Sequence, residues 1–229
     1  MTKELLIFGA NGALGKEIVE YFSAKNFDKK HLFDFNFDDA NGDGSEKIII
    51  KDLAKEGNVE EAFKSVKAGK NKLFFLYSTI GGFAGGKHIW DAEISEFDKM
   101  ISMNLKSNYL ISKYFSKLVK DSAGGSICLT AAMSGIITEE KKASYGISKA
   151  ALIHLVKELA HEGKKINLSA NAIAPYIIDT PANREWMKGS EHSDWSKPSE
   201  IARMAEFLFD NFKSVSGSII TLRGGFEVK

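Results

Sequence analysis

Tyr145 and Lys149 are the two side chains of this sequence best placed to exchange a proton with a bound molecule. Residues four apart share one face of a helix, and Leu152, Val156 and Leu159 continue that face in apolar residues. A free phenol has a pKa of about 10 and is a poor acid or base at neutral pH. A lysine cation nearby favours the phenolate, so we expect Lys149 to lower the pKa of Tyr145. The same spacing also fits the edge of an ordinary amphipathic helix.

A glycine-rich turn near the N-terminus is a second candidate site. The apolar run Leu5–Phe8 leads into Gly9, Gly12 and Gly15, and a helical pattern follows. Glycines allow a pyrophosphate to approach the backbone, and the start of a helix offers it unpaired N–H groups. The spacing G-x-x-G-x-x-G differs from the usual dinucleotide motif, so a glycine-rich loop without a ligand remains an alternative. We expect cofactor contacts from Gly9, Asn11, Gly12, Ala13, Leu14 and Gly15.

An acidic residue at a suitable distance supports a dinucleotide site. Asp34 ends the second predicted strand, nineteen positions after Gly15. A carboxylate there accepts hydrogen bonds from a ribose diol and repels a 2′-phosphate. The neighbouring Asn36, Asp38 and Asp39 bring no cation that could bind such a phosphate. The sequence therefore predicts that NAD(H) is favoured over NADP(H), with an ordinary surface acid as the alternative role of Asp34.

Composition excludes several other classes of function. The formal net charge of +1 gives no electrostatic basis for binding nucleic acid or an anionic membrane. Cys128 is the single cysteine, and its apolar neighbours predict a buried strand rather than a nucleophile or a disulfide. No Cys/His/carboxylate spacing predicts a metal site. Without a membrane span of ~18 apolar residues or a signal peptide, we expect a cytoplasmic protein with one domain over 1–229.

The elements that must position these residues alternate between strand and helix. Short apolar runs predict strands at 4–8, 31–35, 47–50, 73–78, 125–130, 166–173 and 217–222. Helical patterns lie between them, at 13–25, 57–68, 94–120, 144–162 and 198–211. This alternation predicts an α/β fold, a Rossmann-type doubly wound parallel β-sheet of about seven strands flanked by helices. The segments 79–91 and 175–197 are expected to be substrate loops, and the second has the length of a lid.

Taken together, these features resemble the short-chain dehydrogenase/reductase family along essentially the whole chain. The pair Tyr145 and Lys149 follows the fifth predicted strand, as the catalytic tyrosine and lysine do in that family. The resemblance implies that Asn104 is a third catalytic residue, a structural and proton-relay asparagine in the long helix. It also implies that Tyr145 and Lys149 contact the cofactor, with Lys149 binding the nicotinamide ribose. Further cofactor contacts are implied after later strands, from Asp52, Leu53, Gly81, Gly82, Pro175, Ile178 and Thr180.

One departure from the family pattern narrows the assignment. The family usually has a catalytic serine thirteen positions before the tyrosine, where this chain has Ala132. That change, together with the loop 81–86 and the segment 179–184, resembles the dihydropteridine reductases of the family. A ketone needs a hydroxyl to polarise its oxygen, whereas a quinonoid dihydropterin is already electrophilic and needs hydride and a proton at nitrogen. Ser134 is close in sequence but should point elsewhere if the strand stays extended.

The substrate pocket implied by this resemblance is largely aromatic. We expect substrate contacts from Phe83, Ala132, Tyr145, Tyr176 and Trp186. Phe83 stands where the subgroup usually has tryptophan, and loop packing is its alternative role. Two roles fit Trp186 and Trp195 equally well: closing a lid over a flat substrate, or anchoring the loop that carries them.

The predicted function is NADH-dependent reduction of quinonoid dihydropterin to tetrahydropterin. The alternatives are another short-chain reductase acting on a carbonyl, quinonoid or nitro compound, and a non-catalytic NAD-binding regulator. We also expect a homodimer through the helices 94–120 and 144–162, because Met100, Met103, Leu110 and Tyr114 place apolar groups on more than one helix face. A helix buried within one chain would show the same pattern.

Overall fold

The computed structural model describes residues 1–37 and 44–224, and within them seven parallel strands form one sheet. The strands are β1 (Thr2–Phe8), β2 (Lys29–Asp34), β3 (Glu46–Ile49), β4 (Lys72–Ser78), β5 (Gly124–Thr130), β6 (Leu168–Pro175) and β7 (Ile219–Leu222). Their order, β3-β2-β1-β4-β5-β6-β7, reverses the direction of winding between β1 and β4. The predicted Rossmann-type doubly wound sheet is confirmed. Asp38 and Asp39, which entered the cofactor prediction, lie outside the described residues.

The helices of the described residues mostly follow the predicted pattern. They are α1 (Ala13–Ser23), α2 (Glu56–Phe63), α3 (Ile94–Met100), α4 (Ser107–Lys120), α5 (Ala143–Gly163), α6 (Pro181–Trp186) and α7 (Pro198–Asp210). None of these helices is both long and apolar enough to cross a lipid bilayer. The predicted helix 94–120 is divided into α3 and α4 by a π-helical segment, Ile101–Lys106.

Several elements differ from the prediction, and three of these differences have local reasons. α2 ends five residues early, because after Phe63 the chain continues in i→i+3 turns rather than in helical hydrogen bonds. β6 begins at Leu168, because the preceding Asn167 adopts a left-handed conformation with φ of 56°. α6 lies inside the predicted loop 175–197. Its start carries a helix signal, since Thr180 caps it and Pro181 occupies the first turn.

The core explains why the strands are continuous apolar runs. Successive side chains of β1 enter opposite layers: Leu5 and Ile7 pack with α1 and α7, whereas Leu6 and Phe8 pack with α2, α4 and α5. Cys128 is fully buried, as predicted, and burial raises the pKa of its thiol, so it is not a thiolate nucleophile at neutral pH. Two packed layers therefore hold the carboxyl ends of the strands at one edge of a rigid frame.

The turn after β1 meets the end of β4 at the point where the winding reverses. Gly9 adopts a φ of 78°, and a Cβ there would lie 2.3 Å from Thr79 Oγ1. A Cβ at Gly15 would lie 1.9 Å from the Gly9 carbonyl oxygen. These two glycines are therefore required by the turn itself and by the close approach of α1 to it. In open α/β sheets a ligand binds at such a crevice.

Candidate active site

A cavity of about 930 Å³ opens at the carboxyl ends of the strands, between the turn after β1, the loop after β4 and helix α6. That volume is in the range of small-molecule binding sites. Most of the predicted site residues line it: Gly12, Ala13, Leu14, Gly15, Gly81, Gly82, Phe83, Ala132, Tyr145, Lys149, Pro175, Tyr176, Ile178, Thr180 and Trp186. The cavity does not include Gly9, Asn11, Asp34, Asp52, Leu53 or Asn104.

The predicted ribose and adenine contacts lie on the β2 and β3 side of the sheet. Asp34 is buried at the end of β2, and its carboxylate accepts hydrogen bonds from the backbone N–H groups of Asn11, at 2.8 Å, and Phe35, at 2.7 Å. A carboxylate offers about four acceptor positions, so capacity for a diol remains. Asp52 accepts from Ala54 N at 2.9 Å, and Leu53 packs against the core. These residues can serve only the far end of an extended ligand.

The start of α1 has room for a phosphate group. Gly12 is the N-cap of α1, and no side chain caps the helix there. A Cβ at Gly12 would meet the Gly9 carbonyl oxygen at 3.4 Å, which is near ordinary van der Waals contact. The fold therefore does not demand a glycine at this position, although it does at Gly9 and Gly15. A bare N-cap on the cavity wall leaves the first N–H groups of the helix accessible to an anion.

Tyr145 and Lys149 lie in the first two turns of α5. Lys149 Nζ lies 5.9 Å from the centroid of the Tyr145 ring and donates a hydrogen bond to the Thr130 carbonyl oxygen at 2.8 Å. Burial lowers the pKa of Lys149 to about 8. Burial, with a smaller contribution from the charge of Glu139, raises the pKa of Tyr145 to about 12.

The expectation that Lys149 lowers the pKa of Tyr145 is therefore wrong for the free protein. Both groups are removed from water, and the loss of hydration sets the direction of both pKa shifts. A phenol that keeps its proton at neutral pH suits the role of proton donor.

Asn104 lies in the π-helical segment and is fully buried. Its Oδ1 accepts from Gly82 N at 2.8 Å, and its Nδ2 donates to the Gly82 carbonyl oxygen at 3.0 Å and to Ser148 Oγ at 2.9 Å. A Cβ at Gly81 would lie 2.9 Å from both Asn104 Oδ1 and Lys149 Nζ. Asn104 thus fastens the loop after β4 to helix α5, which corresponds to the structural part of its predicted role.

Aromatic rings form one wall of the cavity. The Phe83 ring centroid lies 5.1 Å from that of Tyr145 and 5.3 Å from that of Trp186. Trp186 is 67% exposed, whereas Trp195 is buried and packs against His192. The two tryptophans therefore have different roles, since Trp186 lines the cavity and Trp195 anchors its loop. Exposed ring faces beside Tyr145 suit a flat, unsaturated ligand.

Most lining hydroxyls are already bound to the protein. Thr79 and Thr130 donate to carbonyl oxygens, and Thr180 accepts from Asn183 N at the start of α6. Ser134 also lines the cavity, and its hydroxyl donates to the Glu139 carboxylate. The Tyr145 hydroxyl, by contrast, has no hydrogen-bond partner among the residues that the structure describes. It is the group at the aromatic wall that is free to give a proton to a ligand.

Sequence reasoning did not name several lining residues as site residues. Glu96, Lys142, Asn183 and Met187 all reach the cavity wall, and of these Asn183 and Met187 fall inside the predicted substrate loop 175–197. Lys142 carried a local signal, because it lies three residues after Glu139 and pairs with it at 2.6 Å. The others depend on how α3 and α6 close over the strand ends, which no local pattern encodes.

This chain is similar in sequence and in fold to several known proteins. Residues 34–227 match the family model described as Enoyl-(Acyl carrier protein) reductase. A dihydropteridine reductase of Dictyostelium discoideum is 31% identical over 100% of this chain and 96% of its own length. A solved structure of 4-hydroxyisoleucine dehydrogenase complexed with NADH is 26% identical, with a TM-score of 0.78 and 98% of each chain covered. The structure of ElxO with NADP bound has the same fold, with a TM-score of 0.81 at 20% identity over 97% of each chain.

Proposed function

The chain belongs to the short-chain dehydrogenase/reductase family and is an NAD(P)H-dependent oxidoreductase, and we propose that it reduces quinonoid dihydropterins to tetrahydropterins with NADH. One observation carries the proposal: the cavity has an aromatic wall beside a free phenol, and Ala132 stands where a hydroxyl would polarise a ketone. The full-length match to a dihydropteridine reductase supports the same substrate class.

The residues of the strand ends fit a nicotinamide dinucleotide. The N–H groups at the start of α1 would bind the pyrophosphate where Gly12 leaves room, and Asp34 would accept hydrogen bonds from the adenosine ribose. Asp52 and Leu53 would lie toward the adenine. The nicotinamide half would contact residues of the cavity wall: Gly81, Gly82, Lys149, Pro175, Ile178 and Thr180.

The chain's own part in the reaction is to hold the substrate and to supply a proton. A bound NADH supplies the hydride. Phe83 and Trp186 would stack on the flat pterin and present it to the cofactor. Tyr145 would donate its hydroxyl proton to a ring nitrogen, and the buried Lys149 cation would stabilise the phenolate that remains. Because no negative charge develops on a substrate oxygen in this reaction, Ala132 suffices where a ketone reductase needs a hydroxyl.

We further propose a homodimer through α4 and α5. Met100, Leu110 and Tyr114 do not support it, because the structure buries them in the core of the single chain. The support comes instead from Tyr109 on α4 and Ile147 on α5, which are 54% and 47% exposed.

Cofactor preference gives a first test. Wild-type protein is expected to bind NADH more tightly than NADPH, because no Lys or Arg lies between Asp34 and Lys47 to meet a 2′-phosphate. Asp34→Ala should weaken NADH binding by roughly ten- to hundredfold, because it removes hydrogen bonds between a charged group and the ribose. It should weaken NADPH binding less. Calorimetric titration of both cofactors measures this. Asp28→Ala, which removes a carboxylate at the opposite end of the sheet, is the control. Equal or tighter binding of NADPH by the wild type would refute the preference.

Ala132→Ser tests the substrate assignment with a single added oxygen. The variant should reduce quinonoid dihydropterin within roughly a few-fold of the wild-type rate and gain weak ketone reduction, because the hydroxyl acts only where charge develops on oxygen. Steady-state NADH oxidation with both substrates measures this. Ala182→Ser adds the same oxygen to α6 on the cavity wall and should gain no ketone activity. A wild-type protein that reduces ketones efficiently would mean that Ala132 has been misinterpreted.

A further inference from the structure

A carboxylate that the proposed mechanism does not use lies one contact away from the cavity. Glu139, between β5 and α5, accepts hydrogen bonds from the Ser134 hydroxyl and from Lys142 Nζ, the latter at 2.6 Å. Its side chain is only 19% exposed. Because Ser134 and Lys142 both line the cavity, Glu139 lies directly behind the wall that faces the substrate.

Glu139 connects two segments that carry the reacting groups. Ser134 lies in the turn after Ala132, and that turn rests on α5, since a Cβ at Gly146 would lie only 2.9 Å from the Ser134 carbonyl oxygen. Lys142 is the residue before α5, and its carbonyl oxygen accepts from Gly146 N at 2.7 Å. The Glu139 carboxylate therefore holds the Ala132 turn to the first turn of α5, which contains Tyr145.

The same segment is attached to the loop that carries Phe83. Lys141 adopts a left-handed φ of 62°, and its carbonyl oxygen accepts a hydrogen bond from Gly86 N at 2.8 Å. Lys142 Nζ lies 6.0 Å from the Phe83 ring centroid. The segment 139–142 thus positions both the tyrosine and the ring that packs against it.

Few charged groups face Tyr145 from the surrounding elements. Lys149 comes from α5 itself, Lys142 and Glu139 come from the segment before it, and Glu96 of α3 lines the same cavity. The loop after β4 and α6 contribute the uncharged rings of Phe83 and Trp186. On the rim, His88 pairs with Glu140 at 3.8 Å. Among the acids, Glu139 adds to burial in raising the pKa of Tyr145.

We propose that Glu139 is a positioning residue for Tyr145: through its hydrogen bonds with Ser134 and Lys142 it holds the first turn of α5 against the Ala132 turn, and it thereby sets the surroundings in which the phenol keeps its proton. The proposal rests on the proposed role of Tyr145 as proton donor.

The test is to follow ionisation of Tyr145 directly. Protein with ¹³Cζ-labelled tyrosine, saturated with NADH, is titrated by NMR over the alkaline range in which circular dichroism shows it folded, and Tyr145→Phe assigns the resonance. Glu139→Gln should move the titration curve to lower pH, with proton affinity lowered roughly three- to thirtyfold. Glu139→Asp keeps the charge and should restore most of the wild-type curve. Lys142→Met keeps the Glu139 carboxylate but breaks its ion pair with Lys142. Because this change also removes a cation, it should not lower the proton affinity of Tyr145.

Superposable curves for wild type and Glu139→Gln would overturn the proposal. So would a Glu139→Asp curve that coincides with that of Glu139→Gln, because restoring the carboxylate would then not restore the surroundings of the phenol. Should Glu139→Gln fail to fold, Ser134→Ala removes the contact between the carboxylate and the Ala132 turn and should displace the curve; a curve superposable on that of the wild type would overturn the proposal equally. The NMR readout needs no substrate. Failure to reduce dihydropterin would therefore contradict the proposed function while this result still decides the role of Glu139.

Discussion

Tyr145→Phe is expected to lower kcat for quinonoid dihydropterin by roughly 10²–10⁴-fold, the usual contribution of a positioned proton donor. The hydroxyl it removes is free of protein partners among the described residues and lies beside the aromatic wall. Water can protonate so reactive a substrate, which puts the expected loss toward the lower end of that range. Affinity for NADH should stay within about twofold, because Lys149 and the α1 turn, rather than the phenol, would carry most cofactor contacts.

Tyr176→Phe is the matched control for this change. Tyr176 is half-buried on the same cavity wall, so its variant loses one phenol oxygen from the same site. It should keep kcat within roughly a few-fold, because only a positioned donor contributes a proton. Stopped-flow measurement of NADH oxidation gives kcat, and fluorescence titration gives the Kd for NADH. Full activity in Tyr145→Phe would end the assignment of Tyr145 as proton donor.

Lys149→Met is expected to impair both catalysis and cofactor binding. The ammonium group would bind the nicotinamide ribose and stabilise the phenolate, and hydrogen bonds from a charged group are worth about 1.5–3 kcal/mol. Affinity for NADH should therefore fall by roughly ten- to hundredfold, and kcat should fall as well. Lys142→Met removes the other lysine of the cavity wall and should leave NADH affinity within roughly a few-fold. Unchanged NADH binding in Lys149→Met would show that this lysine is not a cofactor ligand.

The stability of Lys149→Met separates loss of function from loss of folding. Burial lowers the pKa of Lys149 to about 8. Between that pH and the ordinary pKa of lysine, the unfolded chain therefore binds more protons than the folded chain. The contribution of this group to stability therefore rises with pH across that window, and at pH 7 the buried charge costs about 3 kcal/mol. Removing it should not lower the melting temperature of the cofactor-free protein at pH 7, as calorimetry can show. A marked decrease would mean that the variant loses activity by unfolding.

The local parts of the site were predictable from the sequence. The turn after β1 could be predicted because a strand, three glycines and a helix follow one another directly. Asp34 could be predicted as a site residue because it ends the next strand. Tyr145 and Lys149 share a helix face through spacing alone. Strand ends in a parallel sheet meet at one edge, so these separate motifs converge without further information.

The remaining features depend on contacts between distant segments. The π-helical segment that aims Asn104 at Gly82 has no local sequence signal, and it interrupts a pattern that otherwise favours one helix. The pKa of Tyr145 depends on its burial, which the spacing from Lys149 does not reveal. The pairing of Glu139 with Ser134 arises from the path of a turn.

The most direct test of the proposed function is NADH oxidation by the wild-type protein with freshly generated quinonoid dihydropterin. The assay runs beside a panel of simple ketones, quinones and nitro compounds at matched concentrations. We expect rapid, saturable turnover of the pterin and poor reduction of the ketones. Efficient reduction of ketones without pterin turnover would contradict the account and indicate an ordinary carbonyl reductase. Tight NADH binding with no turnover of any substrate would contradict it as well and indicate a non-catalytic NAD-binding regulator.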